Sequence, residues 1–432
     1  MNPAKKTSAR RQTAKAQTAK AQTAKTQTAK TDAMAYRERR RLLRERFPNT
    51  VLMLAASSEA EHGELRTGYF QETNFHYLTG FGRPGATLLM TPAKDGMPGE
   101  MLFLPDRDPT RDLWSGIVPD AADALVSRET GIRVVRRRSQ LEATLNECLA
   151  TWETLACLSG SAMELQLRQA FPLREMLPLN DALARLRMQK AEGEIARMRE
   201  AIRITVEGQL RGWHSLQKST YEYEVAADIT HEFLRLGAER HAFAPIVASG
   251  AGACILHYST NRAPLPRATL AILDVGAERE RYCGDLTRTV PVRERFSRRQ
   301  RQLYEAVLAV QKEVIAAVRP GAYIGRQIPG SLHHLAVARF AELRLGYRGK
   351  PLNEFFPHGI GHHLGMDVHD LNDPMAPLAP GMVVTIEPGV YIPEEGIGIR
   401  IEDDVLVTET GCEVLSSALP KEVHEVEAIV RP

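Results

Sequence analysis

Residues 268–292 read ATLAILDVGAERERYCGDLTRTVPV, and the fold of the C-terminal half turns on this stretch. An apolar run ends on a carboxylate, Asp274. After a short turn a second strand opens at Asp285, with Thr287 and Thr289 on the same face. Burying an unpaired charge at the end of an apolar strand is costly. Two such carboxylates on neighbouring strands repel each other unless a cation lies between them. The stretch therefore predicts paired strands that carry a metal site.

Three further stretches supply candidates of the same kind. FFPHGIGHHLGMDVHD (355–370) contains His358, His362, His363 and His369. VVTIEPGVYIP (383–393) places Glu387 at the end of another buried strand. In GIGIRIEDDVLV (396–407), Ile397, Ile399 and Ile401 alternate toward a core, while Arg400, Glu402 and Asp404 face the other way. His358 and His362 stand four apart, but Gly359 and Gly361 argue against a zinc-protease helix there. Each piece alone has a structural reading: a turn carboxylate, a cross-strand ion pair, a packed histidine. Together, four carboxylates and one histidine suit a pair of closely spaced divalent cations. Oxygen donors with one imidazole favour manganese, cobalt or zinc over a thiolate-type site.

Toward the N-terminus, Ile195, Met198 and Ile202 recur at helical spacing in a long helical stretch that starts near Asp181. A later helix has a capping-box pattern at Ser297 and Gln300 and stops at Pro320-Gly321; Leu303, Val307, Val310 and Val314 form its core face. YRERRRLLRERF (36–47) reads as a surface helix, and VLMLAA (51–56), ATLLM (86–90) and EMLFLP (100–105) read as strands of a compact α/β domain. Before them lies a five-residue repeat beginning QTAKA at Gln12. It has nothing to bury and is expected to be disordered. It lacks the apolar face of a transit peptide and reads as a low-complexity extension. The expected domains are a tail over 1–34, an N-terminal domain over 35–183 and a catalytic domain over 184–432.

Composition narrows the class. Residues 1–31 hold eight Lys/Arg and no acid; of the totals 56 basic and 53 acidic, the rest keeps 48 against 53, or −5. A mildly acidic body excludes a nucleic-acid stripe, and Arg136-Arg137-Arg138 reads as a solvated loop or edge face. No apolar run is long enough to span a bilayer. The five cysteines are scattered, which fits reduced thiols in a cytoplasmic protein.

ILDVG, GDLTRT, HGIGHHLGMDVHD, TIEPGVYIP and GIRIEDD resemble the signature blocks of the Xaa-Pro aminopeptidases (aminopeptidase P), pita-bread metallopeptidases. TNFHYLTGF (from Thr73), FLPDRD (from Phe103) and CILHYSTN (from Cys254) resemble further blocks of that family. The resemblance implies an α+β fold: a C-terminal pita-bread catalytic domain behind an α/β N-terminal domain. It implies two divalent metal ions, manganese foremost, held by Asp274, Asp285, His362, Glu387 and Glu402, with a metal-bridging hydroxide as nucleophile. Glu387 would handle the nucleophile's proton, and His369 would hydrogen-bond the scissile carbonyl. His257 and His358 would line the substrate side, with Arg400 and Tyr391 positioning. Substrates would be peptides with proline second, and the assembly a homodimer or homotetramer in which a neighbour's N-terminal domain borders the active site. The alternatives are a prolidase, restricted to Xaa-Pro dipeptides, and a non-enzymatic pita-bread binding protein. The sequence departs from the family pattern in its tail and in the short PEEGIGI between Tyr391 and Arg400, one wall of the substrate pocket.

Overall fold

The computed structural model describes residues 31–58, 68–92, 94, 96–117 and 119–429. Nearly all of the repeat-bearing tail lies outside them. The chain forms two compact units divided between Leu186 and Arg187.

The first unit is α/β. Its six-stranded sheet has Thr50–Ala55 near the centre, pairing antiparallel with Thr87–Met90 and parallel with Thr154–Cys157. Thr87–Met90 pairs in turn with Glu100–Leu104, and Val134–Arg137 and Met176–Pro178 form the two edges. The central strands are apolar at consecutive positions because both faces are covered. Val51, Met53, Leu89, Met101 and Phe103 pack against Leu145, Cys148 and Leu149 of the helix Leu141–Leu149. The triple arginine falls at the end of the edge strand, with Arg137 and Arg138 exposed.

The second unit is α+β, with antiparallel sheets and long flanking helices. Leu270–Val275 is central in a three-stranded sheet, between Ile246–Ser249 and Leu286–Pro291. Val383–Ile386 pairs with Asp403–Val407, and Gly389–Ile392 forms a tight hairpin with Ile397–Arg400. The two groups are stitched where they meet. Glu402 N–H donates to the Thr287 carbonyl at 3.0 Å, Arg400 N–H donates to Thr289 Oγ1, and that hydroxyl donates back to the Arg400 carbonyl.

Helices follow the apolar periodicity, with one difference. In place of one long helix from Asp181 there are two, Asn180–Met188 and Glu192–Leu216. Lys190 N–H donates to the Gly381 carbonyl, and the Glu194 carboxylate accepts from Ala191 N–H as the cap of the second helix. Both bonds end the first helix before the second begins. The helix Arg298–Ala317 has the expected capping box at Ser297 and Gln300, with Leu303, Val307, Val310 and Val314 buried. Gln209, on the long helix Glu192–Leu216, is fully buried beneath the central sheet. Its amide donates to the carbonyls of Leu273 and Leu286, at 2.9 and 2.6 Å, and its oxygen accepts from Trp213 Nε1.

Candidate active site

The strand pairing sets Thr287 opposite Asp274, so Asp285 stands just beyond the end of the shared ladder, on the same face as Thr287. Asp274, Asp285, Glu402 and Asp404 are buried, and Glu387 is half-buried. His362 arrives on a non-helical segment between Ile360 and Leu364. Its N–H donates to Thr385 Oγ1, and the Thr385 N–H donates back to the His362 carbonyl. Gly361 makes this approach possible: a Cβ there would lie 1.9 Å from the Thr385 carbonyl oxygen. Gly284 serves the same end before Asp285, since a Cβ would meet Thr205 Oγ1 at 2.7 Å.

Ligand-bearing atoms of Asp285, His362 and Glu402 lie within 4.8 Å of one another. His362 Nε2 is 3.4 Å from Asp285 Oδ2 and 3.7 Å from Glu387 Oε1. Its Nδ1 donates to the His363 carbonyl, so Nε2 is the ring nitrogen that faces the acids. Glu402 Oε2 accepts from Thr287 Oγ1 at 2.6 Å. Asp274 Oδ2 accepts from Arg400 Nη2, while Asp274 Oδ1 is buried without a hydrogen-bond partner. Arg400 also donates to Tyr391 Oη at 2.8 Å. His358 donates from Nδ1 to the Gly359 carbonyl and accepts from the Tyr391 hydroxyl at Nε2.

The electrostatics of the cluster is that of an anion-rich site needing a cation. Burial, tempered by His362, pushes the Asp285 carboxyl up to about 6. Burial, tempered by His362 and Arg400, pushes Glu387 up to about 7. Burial and the charges of Asp285 and Glu387 hold Glu402 well above the carboxylate range. Burial alone would lower His362, but the hydrogen bond and charge of Asp285, with Glu387, raise it to about 9. In effect a proton on His362 stands where a metal ion would neutralise the acids. His358 goes the other way: burial and the Arg400 charge push it down to about 3, so it is a neutral ring. The orphaned Asp274 oxygen, the converging acids and the inward-facing Nε2 of His362 fit hard or borderline divalent cations.

The expected residues reach this place with differences in depth. His369 is exposed, with its ring centroid 4.2 Å from that of His362. His257 is exposed on a loop; partial burial first, then His362, then the nearby His257 lower His369. His363 is buried, with its backbone paired to Val384 and with Lys190 and Asp370 among its charged neighbours. Two participants had no assigned role in the sequence reading. Asp404, on the Glu402 face of the alternation, accepts from Asp285 N–H at 3.1 Å. Burial and the Asp285 charge keep its carboxyl well above the usual range. Gln209 carries no signal of its own, being one polar residue on a helix.

Residues 196–409 match metallopeptidase family M24, and residues 36–156 match the aminopeptidase P N-terminal domain. The chain belongs to the aminopeptidase P branch of that family and is a metal-dependent aminopeptidase. A Xaa-Pro aminopeptidase of Haemophilus influenzae is 34% identical over 428 residues, covering 91% of this chain and 96% of the relative. The structure of Escherichia coli aminopeptidase P with the inhibitor Pro-Leu superposes with a TM-score of 0.81 at 29% identity, covering 92% and 98% of the two chains. A zinc-substituted form of the E. coli enzyme in complex with product gives 0.79 at 30% identity, with the same coverage. The Xaa-Pro aminopeptidase relative and the aminopeptidase P structures favour this reading over a prolidase or a non-enzymatic binding protein.

Proposed function

We propose that the chain removes the N-terminal residue from peptides with proline second, using two divalent cations held by Asp274, Asp285, His362, Glu387 and Glu402. The observation that carries this reading is the convergence of buried acids on His362 Nε2, with too few cationic side chains to neutralise them. Manganese is the proposed resident metal; the oxygen-rich donor set supports it, and cobalt and zinc share that chemistry. When bound, such ions lower the pKa of water and offset charge that develops on a carbonyl oxygen.

The chain's own residues do the rest. Glu387, beside His362, holds the proton of the attacking water and passes it toward the leaving proline nitrogen. His369, at the exposed edge, donates to the scissile carbonyl oxygen as it gains charge. His257 and neutral His358 line the substrate side. Arg400 fixes Tyr391, and the Tyr391 hydroxyl in turn fixes His358. The domain division proposed is a tail over 1–34, an N-terminal domain over 35–183 and a catalytic domain over 184–432.

A homodimer or homotetramer is proposed as the working form. Leu113, Trp114 and Ile117 are 85%, 84% and 73% exposed, an apolar surface of the kind a partner covers. Five free cysteines support a cytoplasmic location, and no helix among the described residues is long and apolar enough to cross a membrane. Hydrolysis of Arg-Pro-Pro by metal-stripped protein, with manganese added back and Asp285→Ala as control, tests the function. Metal-dependent release of arginine is expected. Cleavage of an Xaa-Pro dipeptide but not of the tripeptide would move the assignment to prolidase.

A further inference from the structure

Glu222 is the first residue of the helix Glu222–Arg235 and is fully buried. It does not cap its own helix. Glu224 does that, accepting from the backbone N–H groups of Thr220 and Tyr221. The Glu222 carboxylate instead turns to a different part of the chain. Oε1 accepts from Ser249 N–H at 2.9 Å and from the Ser249 hydroxyl at 2.8 Å. Oε2 accepts from the Tyr258 hydroxyl at 2.7 Å and from Ala263 N–H at 2.9 Å. The Glu222 N–H donates back to the Ala263 carbonyl.

One carboxylate thus ties the start of the 249–263 segment, its middle and its end. Part of what lies between is poorly covered: Ile255, His257, Ser259, Thr260 and Arg262 are exposed. A buried carboxylate with four donors is well compensated, and charge-assisted bonds of this kind are the strong ones. An exposed loop has few other means of holding one conformation. The apolar side of the segment is held separately: Ala253 lies in a cluster with Ile246, Ile272 and Tyr391, Cys254, Leu256 and Tyr258 pack against it, and the Asn261 side chain bonds Val247 N–H and the Pro245 carbonyl.

We infer that Glu222 is a positioning residue for catalysis: it staples the 249–263 loop and so fixes His257 against the substrate side of the site. The inference rests on the proposed role of His257, and its test separates the two. The protein is the manganese-loaded full chain, assayed on Arg-Pro-Pro. Glu222→Gln keeps the volume but sets an amide NH2 against donors. It is expected to lower kcat about 10- to 100-fold, as losing a support of a positioned group does. Manganese affinity should stay within about twofold, because the hydrogen-bond partners of Glu222 are Ser249, Tyr258 and Ala263 and not residues of the metal site. In the His257→Ala background the same substitution should have almost no further effect, the coupling that contacting partners in one function display. Hydrogen exchange should rise in residues 250–262 and nowhere else.

Tyr258→Phe removes one donor of the four and serves if Glu222→Gln does not fold. It should give a smaller kcat loss, also absent beside His257→Ala. Losses that multiply in the double variant, or a fall in manganese affinity, would overturn the inference. A fully active His257→Ala variant would instead remove the proposed role of His257; the inference that Glu222 positions it for catalysis would then fall with it, even if the exchange pattern appeared.

Discussion

Arg400 Nη2 lies 2.5 Å from Asp274 Oδ2, and the two side chains are only 5% and 12% exposed. This guanidinium is a permanent cation beside the acids and His362 of the site. Its neighbours Tyr391 and Thr287 accept from its other nitrogens. Removing one member of a buried pair leaves the other uncompensated, at a cost of about 3–5 kcal/mol. Arg400→Met should therefore destabilise the metal-free protein by about 3 kcal/mol, and by less with manganese, because a bound cation compensates Asp274 instead. Urea unfolding with and without metal measures this. Equal losses in both states would mean that Asp274 does not face the cations.

The raised carboxyls predict how the metal-free protein responds to pH. Asp285 and Glu387 hold protons up to about 6 and 7, against about 4 when unfolded, so each costs stability as pH rises from about 4 through those values. His362 is raised to about 9. Its contribution is complete below about 6.5 and is lost as pH climbs through 9. Burial holds His358 down to about 3 and His363 to about 4, which adds stability as pH rises toward their unfolded value of about 6.5, so the sign of the acid cluster is read above that, from pH 7 to pH 9. The melting temperature of the metal-free chain should fall across that range, and saturating manganese should flatten the fall. Protons compete with metal for these atoms, so manganese affinity should rise over the same interval. Calorimetric scans at four pH values suffice; a metal-free melting temperature that rises from pH 7 to 9 contradicts the cluster.

Much of this arrangement could be read from the sequence, and the reason is physical. An apolar strand that ends on Asp274, or an alternation that turns Arg400, Glu402 and Asp404 together, is improbable without a compensating charge. Such patterns therefore report a site. Period and capping likewise placed the helix Arg298–Ala317, because both are local. What could not be read depends on partners distant in sequence. Glu222 looks like any first-turn acid until Ser249, Tyr258 and Ala263 fold onto it. The break between Met188 and Glu192 follows from Lys190 meeting Gly381, nearly two hundred residues away. The pair of Lys190 and Arg187 with buried Asp370, next to His369, was equally silent.

Gln209 offers a test of how the metal strands are held. Its two amide hydrogens bond the carbonyls of Leu273 and Leu286, each next in sequence to an aspartate of the site. Gln209→Leu strips both carbonyls of this donor and leaves the Trp213 Nε1–H without its acceptor, at about 1–3 kcal/mol for a buried group left unpaired. It should also lower manganese affinity about 10- to 100-fold, the usual effect of losing an outer support. Titration calorimetry on folded variant protein reads the second effect separately from the first. Unchanged affinity would show that the ladder alone holds Asp274 and Asp285 in register.

Gly361→Ala asks whether His362 depends on the close approach of its backbone to Thr385. The added methyl would stand 1.9 Å from the Thr385 carbonyl oxygen and 3.1 Å from its hydroxyl, both on the strand that leads to Glu387. That carbonyl is backbone and cannot swing aside, so the segment must lift by an ångström or more. The lift weakens the reciprocal bonds between His362 and Thr385 and withdraws Nε2 from Asp285 and Glu387. A displacement of that size in a reacting constellation costs about a hundredfold in rate. The expected result is a loss of that order in kcat/KM on Arg-Pro-Pro, together with weaker manganese binding. Gly411→Ala is the control, since a methyl there meets no atom within 4 Å. If Gly361→Ala retained full activity, His362 could not be held by this contact, and its place among the metal ligands would need another support.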